Sequence, residues 1–293
     1  GEKLEDNIRL IGACNPYRIR KENIERYGLT REDDEDDKYV YKVEQLPQSL
    51  LYYVFSFGAL QDENEKKYIK SIIQKLFNEK ENNLHDYTTE AISKCHQFLR
   101  KSFGNDPSVV SLREIARFTK CVEFFQDYFL KKDNFLNDNK KSQYSLNDET
   151  KKTYKIKSII CSIYLCYYIR LTNEEKRGNF ENELQEILLQ IANAYCDDDD
   201  LENTTGNLYS KIRYKKLADE LRLKNFERFS DLLKIEEEFL FKQIELDKSI
   251  VKTEILKEIL FLLFFAVVTK IPFIIVGQPG IGKRLSSQLI CNS

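Results

Sequence analysis

The chain has 293 residues, enough for two domains with cores of their own, and its 42% hydrophobic and 32% charged content is that of an ordinary globular protein. With 46 basic against 48 acidic side chains there is no global pull toward nucleic acid or an anionic membrane surface. Seven cysteines without a secretory leader point to reduced thiols in a cytosolic protein, and the most apolar run, residues 259–268, is too short to span a bilayer.

Residues 10–14 (LIGAC) end at Asn15-Pro16, the pattern of a buried parallel strand feeding a loop at its C-terminal edge, where open α/β sheets bind ligands. Asn15 is there either a turn former before proline or a neutral amide able to orient water or touch a γ-phosphate. Residues 31–38 (REDDEDDK) form an acidic loop without the Gly and Glu spacing of a calcium site. Residues 39–43 (YVYKV) predict a second strand.

The chain then turns helical. A helix is expected over 46–57, opened near Pro47 and stopped by Gly58. Ile69, Ile72, Ile73, Leu76 and Phe77 follow helical spacing, as do Ala91, Ile92, Cys95 and Leu99, and both stripes predict core. Ser111 and Glu114 make a capping box that sets Ser111 as N-cap and Arg113 in the first turn, with Ile115, Phe118, Val122, Phe125 and Phe129 as the buried stripe. A cation at that end of the macrodipole is unfavourable by about 0.3–1 kcal/mol. Either an anion such as a nucleotide phosphate answers Arg113, or it pairs with Glu114 or Glu123 on the surface.

Residues 131–153 are polar and aperiodic, as in a linker or mobile loop. Helical spacing returns with Ile156, Ile159, Ile160, Ile163 and Tyr167, then with Phe180, Leu184, Ile187, Leu188, Ile191 and Tyr195. Residues 197–200 are a solvated acidic turn, and 207–247 predict amphipathic helix. The last helix, 251–268, is apolar nearly all round toward its end and is expected to be buried against a sheet that Phe273 begins.

Residues 271–285 read IPFIIVGQPGIGKRL. A strand over Phe273 to Val276, the glycine-rich turn Gly277-Gln278-Pro279-Gly280-Ile281-Gly282 and Lys283 at a helix start fit a phosphate-binding P-loop, whose free N–H groups and lysine converge on phosphate oxygens. Arg284 stands where the pattern wants Ser or Thr to ligate Mg²⁺, and a guanidinium has no acceptor. The sequence has no Met, at position 1 or elsewhere, and is expected to be a piece of a longer polypeptide holding only the beginning of that site. With His85 and His96 the only histidines and no CxxC pair, zinc is not expected, and Cys95-His96 predicts core packing.

IGACNPYR at 11–18, LPQSL at 46–50, FSFGAL at 55–60, YIKSIIQKL at 68–76, SLRE at 111–114 and the P-loop stretch at 271–285 resemble the dynein-like AAA+ core of the mysterin family, giant RING-finger ubiquitin ligases. The likeness covers nearly the whole chain and is weakest over 131–250; dynein and midasin share the tandem AAA+ architecture more faintly. It implies a mostly α chain with α/β pieces: partial AAA+ modules with a few parallel strands flanking a helical lid and connector. Residues 1–45 would end one AAA+ large subdomain, 46–130 would be its lid, 131–250 a linker and helical connector, and 251–293 the start of the next module.

By the same resemblance Asn15 falls on the sensor-1 asparagine and Arg113 on the sensor-2 arginine. Gly277, Gly280 and Lys283, with Pro279, Ile281, Gly282 and Arg284 between and beside them, fall on the Walker A loop. Arg284 departs from a family serine, and Ile281-Gly282 from a Ser-Ser pair, so the second site is expected to bind nucleotide without efficient hydrolysis. The implied cofactors are ATP and Mg²⁺, the latter in doubt at Arg284, with zinc only in other parts of a parent protein. The implied partners are nucleotide, neighbouring AAA+ modules and, for the parent, a ubiquitin-conjugating enzyme; nucleic acid is not among them. A cytosolic location, with association to lipid droplets, is implied in the same way. The rivals are a non-enzymatic helical scaffold and a dynein- or midasin-type machine without ligase activity; the isolated chain is expected to be inactive as an enzyme.

Overall fold

The computed structural model describes residues 12, 18–19, 39–41, 48–55, 60–77, 82–104, 109–137, 148–171, 173–193, 228–244, 250–275, 280 and 282–292. The chain divides into two compact units, one of Gly1–Gly58 with Ile274–Lys283, the other of Ala59–Phe273 with Arg284–Ser293.

In the first unit, β1 (Arg18–Ile19) pairs with β2 (Tyr39–Tyr41), so the strand expected at 39–43 forms. The pairing is antiparallel, Arg18 opposite Tyr41 and Ile19 opposite Tyr39, and β1 is a strand that the sequence pattern does not predict. Only Gly12 of the predicted strand at 10–14 is described; Asn15 and the acidic residues 31–38 lie outside the described residues. Helix α1 is one turn, Gln48–Leu51, where a helix to Phe57 was expected. Beyond it Tyr52, Tyr53, Val54 and Phe55 are all exposed, and such a run of aromatic and β-branched residues without a buried face cannot hold a helix.

The second unit is a helical assembly of α2 (Asp62–Leu76), α3 (Asn82–Ser102), α4 (Arg113–Asn137), α5 (Asp148–Cys166), a 3₁₀ turn at Tyr168–Arg170, α6 (Glu174–Asn193), α7 (Ser230–Gln243) and α8 (Glu254–Thr269). Helix α9 (Lys283–Asn292) joins this unit from Arg284 onward. The predicted stripes become the core: Ile69 and Ile73, Cys95 and Leu99, Ile115, Phe118 and Phe125, Ile159 and Ile163, Phe180 and Leu188 are all fully buried. Each such side chain contributes about 1.5–3 kcal/mol relative to exposure, and together they join α2 to α3, α3 to α6 and α4 to α5 in one cluster. Edge-on contacts of Phe124 with Phe265 at 5.0 Å and Phe98 with Phe180 at 5.3 Å lock α8 onto α4 and α6 onto α3.

Two expectations are corrected here. The polar stretch 131–153 is helical at both ends, since α4 continues to Asn137 and α5 begins at Asp148. Within it Lys132 finds distant partners: it pairs with Glu236 and sits 4.3 Å from the Phe239 ring. Helix α8 is not buried all round. Leu260, Phe261 and Phe265 enter the core against helices rather than a sheet, while Ile255, Val267 and Val268 remain exposed at 64%, 63% and 53%. These exposed residues lie near the two ends of the helix.

Candidate functional site

The candidate loop grows out of the end of α8. Thr253 caps the start of that helix, its Oγ1 accepting from the Leu256 N–H at 3.2 Å. At the other end Lys270 adopts a left-handed conformation with φ of 55°, and the Ile271 N–H reaches back to the Ala266 carbonyl at 3.1 Å, a Schellman-type stop. Residues 271–275 then run without strand pairing, Phe273 and Ile274 exposed at 42% and 84%. The strand expected over 273–276 is therefore absent from its described part: a strand needs a neighbouring backbone, and none pairs with it among the described residues.

Gly280 and Gly282 both have positive φ, 87° and 83°, a conformation that favours glycine, and a Cβ at either would meet nothing within 4 Å. Helix α9 opens immediately after them at Lys283. Lys283 is half-buried and Arg284, in the first turn, is exposed. Gly277, Pro279 and Ile281 lie outside the described residues. Positive-φ glycines directly before a lysine at a helix start are the backbone arrangement that suits an anion. The described residues do not fit Mg²⁺ at position 284, which offers only donors.

Arg113 is exposed in the first turn of α4, as the capping box predicts. The box itself forms: Glu114 Oε2 accepts from the Ser111 N–H at 2.9 Å and from its hydroxyl at 2.8 Å. The pairing of Arg113 with Glu114 foreseen as one alternative is replaced by contacts of Glu114 with Arg117 at 3.8 Å and Arg170 at 3.7 Å. Burial pushes the Glu114 carboxyl up, but the Ser111 hydrogen bonds and Arg170 outweigh it and hold it below the usual range. Arg113 and the loop at Gly280–Lys283 belong to different units.

Glu65 and Arg100, which the sequence does not single out, form a buried polar cluster with His96 and Tyr167. Glu65 accepts both forks of Arg100 at 2.7 Å and lies 2.8 Å from His96 Nδ1, whose Nε2 is 3.2 Å from the Tyr167 hydroxyl. Burial raises the Glu65 carboxyl, yet its bonds to His96 and Arg100 bring it down to about 2. The available signal is register: Glu65 stands one turn before Ile69 in the buried stripe, and His96 and Arg100 are one turn apart on α3. The cluster is structural, tying α2 to α3 and to the residue that follows α5. Cys95 and His96 are core residues, as their spacing predicts, and Cys121 Sγ lies 3.4 Å from Cys166 Sγ, both thiols free. Among the described residues no group of His, Cys, Asp or Glu is arranged to hold a metal ion, and no described helix is long and apolar enough to cross a membrane.

Residues 249–293 match the model of the RNF213 AAA domain. The chain is 27% identical over 310 residues to the human E3 ubiquitin-protein ligase RNF213, covering 99% of the chain and 5% of that protein. It is 26% identical over 316 residues to the mouse counterpart, covering 100% and 5%, and 24% identical over 308 residues to the zebrafish E3 ubiquitin-protein ligase rnf213-beta, covering 99% and 5%. The chain thus spans about 5% of the length of the curated relatives it matches.

Proposed function

We propose, from the premise that this chain is an RNF213-like segment, that it forms part of a nucleotide-responsive AAA+ motor within a giant E3 ubiquitin-protein ligase. One observation carries the nucleotide part: two left-handed glycines directly precede a helix opening at Lys283, inside the stretch that matches the RNF213 AAA domain. Residues 1–45 then close one large subdomain, 46–130 are its lid, 131–250 connect, and 251–293 begin the next module.

Bound ATP would supply the phosphates whose turnover drives movement between modules. The loop N–H groups and Lys283 hold the β- and γ-phosphate oxygens. Arg284 brings a positive charge where serine or threonine would bring an oxygen for Mg²⁺, so this loop retains nucleotide rather than turning it over. In the preceding module Asn15 orients a water and Arg113 answers the γ-phosphate, which offsets its unfavourable place at a helix start. The ligase partner, a ubiquitin-conjugating enzyme, engages other parts of the parent protein.

Titration of the full chain with a fluorescent ATP analogue, with and without Mg²⁺, tests this reading. Binding that needs Lys283, survives chelation of Mg²⁺ and becomes Mg²⁺-dependent in Arg284→Ser is the expected result; binding indifferent to Lys283→Ala would remove the reading. A scaffold without nucleotide turnover is the second reading, and Arg284 is the observation that favours it.

A further inference from the structure

Helix α7 packs on α8, and in that contact lies a carboxylate that the nucleotide reading leaves unused. Glu237 is only 7% exposed and has no hydrogen bond or ion pair among the described residues. Its charged surroundings are Glu258 and Glu254 from α8, Lys234 from its own helix and Arg177 from α6. The nearby charges are engaged elsewhere. Arg177 gives its Nη2 to Glu258 at 2.8 Å and its Nε to the Leu171 carbonyl at 2.6 Å. Lys234 lies 3.7 Å from Asp231, and Glu254 holds Lys257 at 2.8 Å. An ionised Glu237 would thus be buried beside other carboxylates without a counter-charge of its own, an arrangement that costs several kcal/mol unless the group stays neutral.

We propose that Glu237 is a proton-operated latch: neutral, it lets α7 and α8 close on each other, and ionised, it meets Glu258 and Glu254 across the contact and loosens α8. Burial, and after it the Glu258 carboxylate, push the Glu237 carboxyl up to about 7 from an ordinary 4.5, so the latch works near neutrality. Because the folded state holds the proton more tightly, the stabilisation is complete below about pH 4.5, fades as pH rises, and is gone above about 7. Helix α8 runs on in sequence to the loop at Gly280–Lys283, so protonation sets how firmly the helix leading to that loop is held. The proposal stands whether or not that loop binds nucleotide.

The test is carried out on the full chain. A carbon-13 NMR titration of the Glu237 carboxyl is expected to show a midpoint near 7, and urea unfolding a folding constant about a hundredfold smaller at pH 8 than at pH 5. Glu237→Gln is expected to abolish that difference and to be the more stable protein at pH 8. Should that variant fail to fold, Glu258→Gln serves: it removes the facing charge and frees Arg177, so the Glu237 midpoint must fall. A midpoint in the ordinary carboxylate range, or the same pH dependence in Glu237→Gln as in the natural chain, overturns the latch.

Discussion

The Glu65 carboxylate and the Arg100 guanidinium, 35 residues apart, meet through two parallel hydrogen bonds of 2.7 Å, with Glu65 only 5% exposed. This fork-to-fork pair fastens α2 to α3 where an isolated carboxylate could not be buried. Removing one partner leaves the other uncompensated, so Glu65→Ala is expected to destabilise the chain by about 3 kcal/mol in urea unfolding. Glu65→Gln should retain part of that, since an amide still accepts one donor.

The same carboxylate, held by His96 and Arg100, sets the acid limb. With its folded-state value lowered from 4.5 to about 2, Glu65 contributes stability that is fully present above about pH 4.5 and lost as pH falls toward 2. Unfolding midpoints followed between pH 5 and 2 should therefore drop more steeply in the natural chain than in Glu65→Gln; parallel curves would contradict the assignment.

Thr253 alone caps α8 through its side chain, at 3.2 Å from the Leu256 N–H. Thr253→Ala should cost about 1 kcal/mol, and Thr253→Asp should restore most of it by placing an acceptor and a negative charge at the helix start. Thermal unfolding of the three proteins decides the point.

Phe261 is fully buried and stacks on Phe125 with ring centroids 6.2 Å apart, joining α8 to α4. Phe261→Ala should cost about 3–5 kcal/mol, transfer and cavity terms together, whereas Val268→Ala, at the exposed C-terminal end of the same helix, should change stability by less than about 0.5 kcal/mol. Equal effects would mean that Phe261 is not a core residue.

Gly282 has a φ of 83° with open space around it, so Gly282→Ala would meet backbone strain of about 1 kcal/mol rather than a clash. Global stability should change by no more than that, while affinity for the fluorescent ATP analogue should fall if the loop N–H groups hold phosphate. Gly178→Ala, in mid-helix with nothing within 4 Å of the new Cβ, is the control expected to stabilise slightly.

Much of the helical unit is legible in the sequence because its causes are local. The stripe from Ile115 to Phe129 and the box between Ser111 and Glu114, three residues apart, are set by the helical repeat and by one short side-chain contact. The glycines before Lys283 are legible for the same reason, since positive φ at Gly280 and Gly282 is a property of those residues and their neighbours. Where local preference had no partner to act on, it did not decide the outcome. Phe273 and Ile274 have strong strand preference yet pair with no strand among the described residues, and Tyr52 to Phe55 have no buried face to continue α1.

By itself, then, the sequence determined which faces of α2 to α6 are buried, where α4 starts, and that a glycine-rich turn leads into a lysine-headed helix. Tertiary structure alone decided the fate of the charged residues. Nothing near Glu65 in the chain announces Arg100, and Lys132 lies 104 residues from Glu236. Glu237 is a buried, unpaired acid only because α8 and Arg177 arrive with their own charges already matched. Apolar burial follows a periodicity written in each segment, whereas the cost of burying a charge depends on the partner that another segment brings to it.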